Sequence, residues 1–177
     1  MTATSPIAAL RTSLAADRAT LRAAVDQVPA DMRGRKPAPD RWSVADVLEH
    51  LSIIEARVVM MLGVMIPTAP ERAGLVSSGL ADAAIAAIRD RSSRVVAPDA
   101  IQPTGTVSPD AAWAALEGSR ASLLALLDGA EGRDLTQITR QHPVLGPLDG
   151  YQWIAAIGGH EVRHAAQIVE IVGTLTS

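Results

Sequence analysis

The residues able to do chemistry in this chain are few: four histidines, no cysteine and 19 carboxylates among 177 residues. His160 and His164 stand four apart. On an α-helix that is a rotation of about 40° and a rise of about 6 Å, so both imidazoles leave one face and can converge on one ion. Trp153 and Ile157 precede them on that face and Ile168 and Ile171 follow, which predicts that it is the buried one. An imidazole turned inward needs partners for both ring nitrogens, or its desolvation costs roughly 1–3 kcal/mol. A shared metal ion is one answer; a buried histidine network without metal, or accidental spacing, are the others. His50, set among Val47, Leu51 and Ile54, points at the same interior from a second helix. Three neutral imidazoles suit a borderline divalent ion, zinc or nickel before others, and leave a position for water or a substrate atom. An ion there lowers the pKa of bound water toward about 7, or ionises a thiol that a cosubstrate brings.

Around this trio, Asp46, one turn before His50, and Gln167, two turns after His160, are candidates to orient a ligand or a reacting water. His142, in a loop before Pro143, reads as an exposed or capping histidine. Glu49, Glu161 and Arg163 fall off the inward stripes and read as solvated helix charges. Trp42, Trp113 and Trp153 read as packing anchors, and Met60, Met61 and Met65 as core filler.

Four helices must position these groups. Ser5-Pro6 is a cap followed by proline, and Ile7, Leu10, Leu14, Leu21, Val25 and Val28 then keep helical spacing, giving a first helix over about 6–28. Residues 29–41 form a connecting loop. Ser43 with Asp46 three positions on makes a capping signal, and the apolar stripe from Val47 to Met65 gives a second helix over about 43–66, ended by Pro67. Residues 67–107 are irregular, with one Ala-rich stretch, Leu80 to Arg91, that fits a helix. Ser108-Pro109 repeats the cap-then-proline signal for a third helix over about 109–128, stopped at Gly129. After a loop over 129–148, Asp149 caps a fourth over about 150–172. No useful run of β-type alternation competes. The reading is an all-α, four-helix bundle, one domain over 1–177, with one long crossover.

Composition excludes several classes. The 32 alanines and absent phenylalanine imply a core of Leu, Ile and Val between closely approaching backbones. Sixteen basic residues, 15 of them Arg, are scattered against 19 acidic ones, so no footprint for nucleic acid emerges. No apolar run is expected to reach a membrane span and the N-terminus lacks a signal-peptide pattern, which predicts a cytoplasmic protein. Without cysteine there are no disulfides and no thiolate nucleophile of the chain's own. An Ala-rich helix face could pair two copies in a homodimer.

Trp42-Ser43-Val44-Ala45-Asp46-Val47-Leu48-Glu49-His50-Leu51 resembles the second-helix motif of the DinB/YfiT-like superfamily. The stretch from His142-Pro143 through Gly146-Pro147-Leu148, Gln152-Trp153 and His160-Glu161-Val162-Arg163-His164-Ala165-Ala166-Gln167-Ile168 resembles its last loop and helix. The resemblance implies an up-down-down-up bundle with the crossover between helices two and three. It also implies a divalent metal held by His50, His160 and His164. Members of that superfamily include S-transferases that use mycothiol, bacillithiol or glutathione, a mycothiol-dependent isomerase and metal-dependent hydrolases. The activity expected here is a metal-dependent transfer of a low-molecular-weight thiol to a small-molecule substrate. The alternatives are a metal-dependent hydrolase and a non-catalytic, stress-related metal-binding protein.

Overall fold

The computed structural model describes residues 5–73, 82–92 and 97–176. Its helices are α1 (Pro6–Asp26), α2 (Val44–Met65), α3 (Asp82–Arg89), α4 (Pro109–Asp128) and α5 (Gly150–Leu175), with a hairpin of β1 (Thr139–His142) and β2 (Gly146–Asp149) before α5. Each long helix begins where its capping residue stands. Ser5 Oγ accepts from the Ala8 amide and Ser108 Oγ from that of Ala111, while Ser43/Asp46 and Asp149/Gln152 form reciprocal capping boxes. The ends depart by up to three residues from the sequence-based bounds, α1 stopping at Asp26 and α5 continuing to Leu175.

Two apolar clusters fix the helix directions. One joins Ile7, Leu10 and Leu14 of α1 to Val58 and Leu62 of α2, Leu123 and Leu127 of α4, and Trp153 and Ile157 of α5. The other joins Leu21 and Val25 of α1 to Val44, Val47 and Leu48 of α2, Ala112 and Leu116 of α4, and Ile168 and Ile171 of α5. The start of α1 therefore lies level with the ends of α2 and α4 and the start of α5, an up-down-down-up arrangement. Because α2 and α4 run parallel, the chain must return along the length of the bundle between them, which is the purpose of the long crossover. Its middle helix, α3, packs on α5; of the Leu80–Arg91 stretch expected to be helical, Leu80 and Ala81 lie outside the described residues.

Three expectations need correction. The loop over 129–148 contains the antiparallel β1–β2 pair, in register from Thr139 opposite Asp149 to His142 opposite Gly146; Gly146 has φ +81°, the left-handed backbone that glycine supplies at such a turn. Met60 is not core filler but 67% exposed, with Val64 76% exposed one turn on. The run Val44–Thr68, 25 residues at a mean hydropathy of 1.6, is by length and composition apolar enough to cross a membrane. In this fold it is a bundle helix, supplying Val44, Val47, Leu48, Val58 and Leu62 to both cores. Close approach of α1 to α5 depends on Gly158, where a Cβ would collide with the Asp17 carboxylate.

Candidate metal centre

α2 and α5 bring His50, His160 and His164 together, each offering one ligand nitrogen, all within 4.8 Å of one another. The Nε2 atoms of His160 and His164 are 3.0 Å apart. Metal–nitrogen bonds of 2.0–2.1 Å at a tetrahedral angle call for ligands about 3.3 Å from one another, so small side-chain adjustments would seat an ion. His50 and His164 are buried, and His160 keeps partial exposure. Trp42, in the loop before α2, closes one side: its ring lies 4.9 Å from that of His50 and stacks at 18° over His164.

Hydrogen bonds select the tautomers. His50 Nδ1 lies 2.7 Å from the Ile101 carbonyl oxygen, so that nitrogen must donate and Nε2 keeps its lone pair. His164 Nδ1 lies 2.8 Å from Gln167 Oε1, with the same consequence. With His164 Nε2 thus an acceptor, the 3.0 Å contact requires His160 to donate from its own Nε2 in the metal-free chain. All three imidazoles are held neutral. Burial depresses the His50 pKa, with the Ile101 hydrogen bond opposing. Burial and the neighbouring His160 and His50 hold His164 well below the usual range. Burial first, then His50, Arg163 and His142, pushes His160 down to about 3.

The other residues singled out divide clearly. Gln167 touches the trio, through His164. Asp46 is engaged elsewhere: Oδ2 accepts from the Ser43 amide at 2.9 Å and lies 3.6 Å from Lys36 Nζ, and no hydrogen bond joins it to a histidine among the described residues. His142 caps the hairpin turn, accepting from the amides of Val144 and Leu145, with its ring 5.0 Å from that of Trp153. Glu49 and Glu161, expected as solvated charges, are buried, and Arg163 is half-buried, its guanidinium 3.5 Å from the Ile88 carbonyl. Glu49 accepts from the amide and hydroxyl of Thr104 in the crossover.

Glu161 belongs to a buried ionic network that sequence reasoning missed. Arg18 of α1 reaches Glu161 Oε1 through Nε at 2.8 Å and Glu55 Oε2 through Nη2 at 3.0 Å. Arg120 of α4 holds Glu55 Oε1 at 2.7 Å and the Leu14 carbonyl at 3.0 Å, and Ser119 donates to Glu55. Two arginines and two glutamates sum to zero charge. A signal existed in the chain: Arg18 falls between Leu14 and Leu21, Glu55 between Leu51 and Val58, and Arg120 between Leu116 and Leu123, each at an inward position of its own apolar stripe.

An all-α bundle whose second and last long helices converge on three histidines defines a class of helical-bundle proteins with a histidine cluster that could hold a metal ion. The chain belongs to the DinB superfamily, whose family model matches residues 13–168. An uncharacterized protein, YuaE, of Bacillus subtilis (strain 168) is 29% identical over 138 residues, covering 77% of this chain and 81% of YuaE. No solved structure matches the chain.

Proposed function

We propose that His50, His160 and His164 bind a divalent ion, zinc or nickel in first place, and that the protein transfers a low-molecular-weight thiol to a small electrophilic substrate. The observation that carries the reading is a donor set of three imidazole nitrogens, those of His50 and His164 with tautomers already set by hydrogen bonds, and no carboxylate among them. Such an ion would supply Lewis acidity that ionises a thiol or a water at a position the histidines leave open. His50 and His164 would present Nε2 lone pairs without rearrangement, whereas His160 would move its proton from Nε2 to Nδ1. Trp42 would exclude water from the side of His50 and His164.

The carboxylates on the same helices favour a thiol over water as the nucleophile. Hydrolysis calls for a base near the ion, yet Asp46 caps α2, Glu49 holds Thr104, and Glu55 and Glu161 are locked to arginines. A thiol needs less help, because its pKa of about 8.5 is already close to neutrality. The test is mass spectrometry of metal-loaded protein offered several thiols and a haloarene. Conjugates that form with metal and vanish on chelation or in His160→Ala support the transfer reading. Metal retention with no conjugate from any thiol overturns it, and failure to retain any divalent ion overturns the metal reading itself.

A further inference from the structure

Arg91, just beyond α3, approaches α5 from the crossover. Its Nε and Nη2 pair with the two carboxylate oxygens of Glu170 at 3.0 and 2.9 Å, and its remaining Nη1 lies 3.4 Å from Gln167 Oε1. A guanidinium only donates, so the group that Gln167 turns toward Arg91 must be its oxygen. The same oxygen faces His164 Nδ1 at 2.8 Å. Were the Gln167 amide flipped, its NH2 would meet the guanidinium N–H, and His164 would have to accept at Nδ1 and carry its proton at Nε2, on the side of His160. The fork geometry is needed for this arrangement: Glu170 uses two nitrogens and a third is left at a fixed angle for Gln167.

We propose that Arg91 is a positioning residue for the histidine trio, fixing the Gln167 amide so that His164 keeps its proton on Nδ1 and its Nε2 lone pair toward His50 and His160. The proposal rests on the metal-binding reading for its purpose, but the tautomer it sets exists without metal. It also gives the crossover a role beyond returning the chain: Ile101 sets His50 from one point of that segment, and Arg91 sets His164 from another.

The experiment has two readouts on the wild type, Arg91→Ala, Arg91→Lys, Gln167→Ala and the Arg91→Ala/Gln167→Ala double variant. The first is the ¹⁵N spectrum of the imidazoles in metal-free protein. His164 is expected to be protonated at Nδ1 in the wild type and to become a tautomer mixture in Arg91→Ala. Lysine keeps a charge beside Glu170 without the fork, so Arg91→Lys is expected to fold and still to lose the single tautomer. The second is zinc affinity by chelator competition, with the cobalt spectrum as a check on ligand geometry. Arg91→Ala is expected to weaken zinc about 10-fold, at the lower end of what loss of an outer partner does, and to add less than about 2-fold to Gln167→Ala. An unchanged His164 tautomer in both Arg91 variants overturns the proposal, as does an affinity loss from Arg91→Ala that is equally large without Gln167. Should wild-type protein bind no zinc, the metal reading fails while the tautomer readout still decides the role of Arg91.

Discussion

Two polar clusters are built into one bundle, and they solve burial in opposite ways. The network of Arg18, Glu55, Ser119, Arg120 and Glu161 ties α1, α2, α4 and α5 with full charges that cancel. The trio of His50, His160 and His164 joins only α2 and α5, carries no charge, and turns ring nitrogens toward one another. The first finds its ionic partners within itself: Glu55 alone accepts from Arg18, Arg120 and Ser119. The second gathers one ring nitrogen from each histidine within 4.8 Å of the others, a spacing that could hold a metal ion. Two buried atoms of the network, Arg120 Nη2 and Glu161 Oε2, have no hydrogen bond among the described residues, though Arg120 Nη2 lies 3.0 Å from Glu161 Oε1 as an ion pair, and desolvation raises the Glu161 pKa even against Arg120 and Arg18. The first cluster commits its charges to tying four helices; the second leaves three ring nitrogens close enough together that a metal ion could share them.

The largest effect should come from breaking the first cluster. Glu55→Ala leaves Arg18 and Arg120 facing one carboxylate, and removal of one partner from a buried ion pair typically costs about 3–5 kcal/mol. Urea unfolding of the metal-free protein measures it; a loss below about 1 kcal/mol would mean that the network is solvated and the contrast mistaken. Any folded Glu55→Ala protein should still bind zinc, because no histidine touches Glu55 among the described contacts. Next comes His164→Ala, expected to weaken zinc at least about 100-fold, or roughly 2.7 kcal/mol, while costing the metal-free protein far less than Glu55→Ala. Equal damage to metal-free stability from the two substitutions would make the trio a structural element like the network.

Acid should separate the clusters further, since the pKa shifts of the histidines and of Glu161 have opposite signs. The histidines titrate lower in the folded than in the unfolded chain, so the unfolded chain takes up protons first as pH falls below about 6.5. Stability of the metal-free protein should therefore be fully present above that value and decline on acidification. His160, pushed down to about 3, contributes a loss of about 2 kcal/mol between pH 7 and pH 5, with His50 and His164 adding in the same direction. Glu161 works the other way, its raised pKa favouring the folded chain as acid protonates it. Replacing His160 with Asn should flatten the decline between pH 7 and 5; an unchanged slope in urea midpoints would show that His160 is protonated in the folded chain.

How far the sequence spoke differs between the clusters for the same physical reason. Helical caps and stripes are local, so Ser5, Ser43, Ser108 and Asp149 marked their helices correctly. The histidines were legible because two share one helix and spacing alone sets their common face. The network draws one charge from each of four helices, with Arg18 and Glu161 separated by 143 positions, and no local pattern pairs them. What could be read was only that Arg18, Glu55 and Arg120 interrupt apolar stripes. The β1–β2 hairpin escaped because its first strand is four residues long and mostly exposed, without the alternation that marks a half-buried strand.

The smallest predicted effect marks the edge of the trio. Asp46 stands one turn from His50, and proximity along the helix made it a candidate to orient a ligand. Its carboxylate is instead the returning half of a capping box, accepting from the Ser43 amide while Ser43 Oγ accepts from its own. The orienting role for His50 falls to the Ile101 carbonyl. Asp46→Ala should thus cost about 1 kcal/mol of stability, the usual worth of a cap, and shift zinc affinity by less than about 2-fold. A 10-fold loss of zinc affinity without a fall in the urea midpoint would place Asp46 within the trio's support and enlarge that cluster by one charge. The contrast with the network would then be narrower, since a carboxylate acting on His50 would bring ionic character to a site otherwise built from neutral donors.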